Sequence, residues 1–123
     1  MPTGFGPAVP ILRSFDEGAA RAFYLDWLGA TVLFEHRFAP DMPLYMGLSL
    51  HGAELHLSEH HGDCAPGARI RIRVPDIDAW AATLRDRPHP NARPGHPERQ
   101  PWGECDLTLT DPFSNRLTFF QPD

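Results

Sequence analysis

Hydrophobic and polar positions along this chain alternate with two different periods, and the periods change in the same order twice. Residues 8–13 place Val9, Ile11 and Leu12 in an extended pattern. Pro10 confines that strand to a sheet edge or an exchanged position, because proline cannot donate to a central ladder. Ser14 and Glu17 then make a capping box. Ala20, Phe23, Tyr24, Trp27 and Leu28 follow as an apolar stripe at i, i+3, i+4 spacing, which predicts a helix that Gly29 ends. Residues 31–38 are rich in strand formers, residues 39–43 read as a turn, and residues 44–50 and 53–58 read as strands joined at His51-Gly52.

Residues 59–68 carry the glycine, proline and polar side chains of a linker, and the pattern restarts after them. Residues 69–74 alternate arginine with Ile70, Ile72 and Val74, and Asp76 caps a helix whose apolar side holds Ile77, Trp80, Ala81 and Leu84. A long loop over residues 85–98 contains four prolines and two histidines. After a short strand near Arg99, residues 105–110 and 116–121 alternate as strands around the turn at residues 111–115.

The expected fold is therefore α+β: two βαβββ modules, over about residues 8–58 and 69–121, in one domain spanning 1–123 and forming a half-barrel cleft. Alternation assigns the faces of the strands. With Leu55 and Leu57 under the first helix, Glu54, His56 and Ser58 face the cleft. By the same rule Asp106, Thr108 and Thr110 face inward on the penultimate strand, and Arg116, Thr118 and Phe120 on the last.

Composition narrows the classes of partner. A chain of 123 residues that is 41% apolar builds one core. Eleven Lys plus Arg against 16 Asp plus Glu leave a formal charge of −5, which repels nucleic acid and anionic membrane and attracts a cationic small molecule. No apolar run approaches the roughly 20 residues of a membrane span. Two widely separated cysteines, Cys64 and Cys105, and a beginning with neither a basic start nor an apolar signal core lead to the expectation of a cytoplasmic protein with reduced thiols.

The richest local feature is Gln100-Pro101-Trp102-Gly103, followed by Asp111-Pro112-Phe113-Ser114-Asn115 and Arg116-Leu117-Thr118-Phe119-Phe120. A tryptophan between proline and glycine is a rigid plate suited to flat ligands. Over nearly its whole length the sequence resembles the glyoxalase/bleomycin-resistance superfamily, the vicinal oxygen chelate fold. Phe23-Tyr24 with Leu28-Gly29 matches the helix end of that family's first module, and Asp111-Pro112-x-x-Asn115 matches its last hairpin. The Gln100–Gly103 run looks like the bleomycin-binding resistance proteins, in which the corresponding tryptophan contributes to the drug cleft. That resemblance implies a homodimer with clefts at the subunit boundary.

The superfamily's metal-dependent enzymes take four ligands from the two modules, and the resemblance puts those positions at Val9, His56, Arg69 and Thr118. Only His56 binds a metal well, since valine has no lone pair and arginine brings a fixed positive charge. No metal and no other cofactor is expected. Glu54, His56, Glu59, His60 and His61 also read as a metal cluster, but the paired histidines lie in a glycine-bearing linker where solvated side chains are common. Trp102 has two readings, ligand plate or cover for the end of the core. Phe38 and Tyr45 make either the opposite wall of an aromatic slot or part of the core. Glu104 and Asp106 either pair with a cationic ligand or are solvated acids, while Arg69, Arg71 and Arg73 read as the wet face of a strand. Neither cysteine has the neighbours of a nucleophile.

These readings lead to an expected function: sequestration of a planar, cationic antibiotic of the bleomycin type without chemical change, with no catalytic residue. The ligand-binding residues would be Trp102, Gly103, Phe38, Tyr45, His56 and Asp106. The alternative is a metal-dependent enzyme of the same superfamily (lyase, epimerase, thiol transferase or dioxygenase) acting on a small metabolite.

Overall fold

The computed structural model describes residues 4–87, 89 and 94–123. Within them two four-stranded sheets follow one another along the chain. The first is ordered β1 (Ile11–Arg13), β4 (Ala53–Ser58), β3 (Tyr45–Leu50), β2 (Thr31–His36), and the second β5 (Arg69–Arg73), β8 (Arg116–Pro122), β7 (Glu104–Thr110), β6 (Glu98–Gln100). In each module the first strand is an edge strand, parallel to the module's last strand, and the other pairings are antiparallel. Both sheets stay open. The strand holding Pro10 at its entrance is short and lies at the edge, where a missing backbone donor is tolerated.

Helix α1 (Glu17–Ala20) continues without a break into the π-helical turns Arg21–Trp27. Its N-cap is Asp16, whose carboxylate accepts from the Ala19 amide at 3.0 Å. This corrects the capping box expected at Ser14 and Glu17: Ser14 is buried and its amide donates to the Ser58 carbonyl, while Glu17 pairs with Arg21 and Arg37. Those two guanidiniums, Arg21 first, hold the Glu17 carboxyl below the usual range. The predicted stripe of Ala20, Phe23, Tyr24, Trp27 and Leu28 is buried throughout, and Gly29, at φ 81°, turns the chain out of the helix. The β3–β4 turn uses His51 and Gly52, both at positive φ, as a tight hairpin requires. Helix α2 (Ile77–Asp86) starts at Asp76 and buries Ile77, Ala81 and Leu84. Because it runs to Asp86, the loop expected to begin at residue 85 begins after the helix; Pro88, Pro90 and residues 91–93 of that loop lie outside the described residues.

The modules share one hydrophobic core and are joined by a buried polar knot. Asp111 accepts through one oxygen from the amides of Phe113 and Asn115, both at 2.8 Å, and through the other from the Tyr24 hydroxyl at 2.5 Å and the Asn115 side chain at 2.9 Å. Asn115 also donates to the Arg13 carbonyl at 2.8 Å, tying the last hairpin to β1. The Trp27 indole donates across the modules to the carbonyls of Leu84 and Arg87. Burial, and then the Asp111 charge beside it, push the Tyr24 phenol well above its ordinary pKa.

Candidate functional site

Strand alternation divides each sheet into a core face and an open face. On β7, Leu107 and Leu109 are buried in the core, leaving Glu104, Asp106 and Thr108 on the other side. On β4, Leu55 and Leu57 are buried and leave Glu54 and His56 on the open face. These two open faces are the candidate site, and they differ in chemistry.

The open face of module two borders a cavity of about 520 Å³ whose walls include Trp102, Asp106, Gln100, Thr108, Thr118 and Arg71. Trp102 sits in the turn between β6 and β7 with 65% of its surface exposed, so it does not cover the core. Gly103 has φ 98°, which explains the glycine, and its carbonyl accepts from the Asp123 amide at 3.0 Å. Asp106 accepts from the Gln100 side chain at 3.0 Å through one oxygen. Thr108 and Thr118 bond each other at 2.8 Å.

Glu104 corrects the reading of it as a ligand partner or a solvated acid. Its side chain is only 8% exposed and accepts from Arg71 at 2.6 Å, and the Arg71 guanidinium lies 4.3 Å from the centre of the Phe120 ring. Arg71 is therefore part of the cavity floor, not merely the wet side of a strand. Its charge is answered inside the module.

The open face of module one is aromatic. His56 uses both ring nitrogens, Nδ1 with the Tyr45 hydroxyl and Nε2 with the Glu54 carboxylate, each at 2.7 Å. Phe34 lies nearly parallel to Tyr45 with centroids 6.1 Å apart and meets His56 edge-on at 5.2 Å. Gly47 lies opposite both Phe34 and His56 in the sheet, and a Cβ there would overlap the Phe34 ring. The ring beside Tyr45 is thus Phe34, where Phe38 was expected. Phe38 lies beyond β2, is 77% exposed, and meets His36 and His60 instead. Sequence reading missed Phe34 because in a β-rich stretch its ring is indistinguishable from a core residue; the glycine across the sheet was the available signal.

Within one chain Trp102 and Asp106 share a cavity, Tyr45 and His56 share a hydrogen bond, and Phe38 joins neither group. Among the described residues no three His, Cys, Asp or Glu side chains converge as metal ligands. Glu59 accepts from the Leu44 amide, and the two cysteines are free thiols, burial pushing the Cys64 thiol up.

A family model described as "Glyoxalase superfamily protein" matches residues 2–122. The chain belongs to the glyoxalase superfamily. Solved structures share its fold at low identity. The bleomycin-binding protein of bleomycin-producing Streptomyces verticillus, complexed with copper(II)-bleomycin, is 24% identical over 99% of this chain and 100% of its own, with a TM-score of 0.75. A bleomycin resistance determinant encoded on the transposon Tn5 is 24% identical over 97% and 99%, with a TM-score of 0.73. TnmS3, an antibiotic-binding protein from Streptomyces sp. CB03234, is 22% identical over 95% and 98%, with a TM-score of 0.69. No protein with curated annotation matches the chain.

The register tests whether the superfamily's metal fits here. His56 pairs with Ile11 and Thr118 with Arg71, and the expected positions Val9 and Arg69 stand two residues earlier in the chain. The chemistry of the donor set is the same at either pair of positions, an alkyl side chain and an arginine. An alkyl side chain offers no lone pair, Arg71 is a donor-only cation paired with Glu104, and the Thr118 hydroxyl is buried against Thr108. These residues do not fit a divalent metal.

Proposed function

We propose that this glyoxalase-superfamily protein captures a planar, cationic antibiotic of the bleomycin type and holds it chemically unchanged, in clefts completed by a second copy of the chain. The observation that carries this reading is the position of Trp102, an exposed indole at the mouth of a cavity that also presents Asp106. A stacking plate beside a carboxylate binds a flat cation, and burial of the ligand strengthens both contacts. The formal charge of −5 speeds the encounter. Relatives in fold include proteins solved with bleomycin bound, which is consistent with this ligand class.

The second copy is argued from what one chain leaves bare. Every residue of β2 is exposed, including Val32, Leu33 and Phe34, so a long apolar edge strand has no cover. The aromatic face of module one and the Trp102 hollow of module two are each half of a slot. In a homodimer the module-one face of one copy would meet the module-two cavity of the other, giving two equivalent clefts. This reading has the protein acting in the cytoplasm, with Cys64 and Cys105 reduced.

Calorimetric titration with bleomycin and phleomycin tests the ligand class: one drug per chain is expected, and no heat with either removes it. Light scattering tests the assembly, where a monomer at micromolar concentration would remove the shared cleft.

A further inference from the structure

Glu54 was not among the residues expected to bind ligand, yet its position controls what Tyr45 can offer. Glu54 and His56 are two residues apart on β4 and therefore share its open face. Tyr45 stands diagonally across from His56 on β3, where an aromatic side chain reaches its neighbour. The imidazole is fixed at both nitrogens and bounded by the rings of Phe34 and Tyr45, and its side chain is only 16% exposed.

Hydrogen-bond chemistry then orders the protons. A carboxylate only accepts, so Nε2 of His56 must carry the hydrogen that meets Glu54 at 2.7 Å. A neutral imidazole protonated at Nε2 has its lone pair at Nδ1, so the Tyr45 hydroxyl must donate to it. The phenol's one hydrogen is thereby committed inward. What Tyr45 presents outward is an oxygen that can only accept, on a face bearing the Glu54 charge and the Phe34 ring.

From this order we propose that Glu54 is a positioning residue, fixing the His56 tautomer so that Tyr45 accepts a hydrogen bond from a cationic N–H group of the ligand. The proposal rests on the capture reading and specifies its ligand: a protonated amine or guanidinium, in preference to a fully alkylated ammonium of equal charge. Burial, and after it the charges of Asp63, Cys64 and Glu54, push the Tyr45 phenol up, which keeps it a neutral donor to His56.

Two measurements on the intact protein decide the matter, and neither requires an antibiotic. Nitrogen-15 NMR at pH 8 reads the His56 tautomer directly. Wild type is expected to hold the hydrogen on Nε2, and Glu54→Gln, whose amide can donate as well as accept, to populate both tautomers with the fold retained by backbone spectra. An Nδ1-protonated ring in wild type, or an unchanged tautomer in the variant, would overturn the proposal. Titration with benzylammonium and with benzyltrimethylammonium then compares two cations that share ring and charge and differ in N–H donors. Benzylammonium is expected to bind about five-fold more tightly, a preference of the size of one hydrogen bond, and Tyr45→Phe to abolish it. Equal binding of the two in wild type, or a preference that survives Tyr45→Phe, equally overturns it. Failure of bleomycin to bind, with both of these results intact, would count against the antibiotic alone.

Discussion

The two modules are the same fold with opposite solutions to the open face of a sheet. Module two carries charge there and neutralises part of it internally: Arg71 pairs with Glu104 and covers Phe120, while Asp106 keeps its charge with a neutral donor, Gln100, on one oxygen. Module one carries rings, with Phe34 in the space left by Gly47 and a single hydrogen-bonded row through Tyr45, His56 and Glu54. The Trp102 cavity lies on the charged module, and the exposed edge strand on the aromatic one. The difference teaches that the same scaffold and core leave the faces away from the core free to differ in chemistry.

The comparison depends on the joint that holds the halves in one body. Asp111→Ala would remove the acceptor for four hydrogen bonds and leave the Tyr24 hydroxyl unpartnered in the core, with Asn115 keeping only its side-chain bond to the Arg13 carbonyl. A loss of about 3–5 kcal/mol is expected in urea denaturation. A loss below about 1 kcal/mol would mean that the modules cohere without the knot.

Module one alone is challenged by Gly47→Ala, since the new methyl collides with the Phe34 ring. Repacking of this kind costs about 1–3 kcal/mol, and loss of the Phe34 contacts to Tyr45 and His56 should appear in their aromatic NMR signals. The Arg71–Glu104 pair and the hydrogen-bonded β7–β8 ladder of module two should be unaffected in backbone NMR spectra of that variant.

Tyr24 gives the joint a pH signature. Its phenol is raised in the folded state, so above about pH 10 the unfolded chain releases a proton that the native protein retains. The unfolded state then binds fewer protons, and stability falls as pH rises, by at most about 1.4 kcal/mol per unit for this group. Denaturation curves from pH 8 to 11 should show that decline. Tyr24→Phe should flatten it to the smaller share left by Tyr45 and Cys64, whose phenol and thiol are also raised. An equally steep decline in Tyr24→Phe would place the alkaline transition elsewhere.

Trp102→Ala carries the smallest expected change in stability, because the indole is mostly exposed. Its effect belongs to binding: about ten-fold weaker capture of bleomycin, the equivalent of one good aromatic contact. An unaltered affinity would shift the ligand away from the module-two hollow.

Local patterning made much of the fold legible. The helix stripe ending at Gly29, the His51-Gly52 hairpin, the Asp76 cap and the alternation of Leu55 and Leu57 with Glu54 and His56 each depend on neighbours within a few residues, and each is present. Ser14 was misread as a cap because Asp16, two residues later, competes for the same role, and the exact start of a helix is decided by which side chain meets a free amide. In the candidate site, Trp102 was legible through its proline and glycine neighbours. Phe34 and Glu104 were not, since the first depends on a glycine opposite it in the sheet and the second on an arginine 33 residues away.

By itself, the sequence determined two βαβββ repeats, the side of each strand that enters the core, and the excess of negative charge, because periodicity and composition are properties of neighbouring residues. Tertiary structure alone decided that Arg71 is cancelled by Glu104, that Phe34 replaces Phe38 beside Tyr45, and that Asp111 clasps Tyr24 from 87 residues away. Those outcomes follow from strand register and close packing, which bring together side chains whose separation along the chain carries no information about their distance in space.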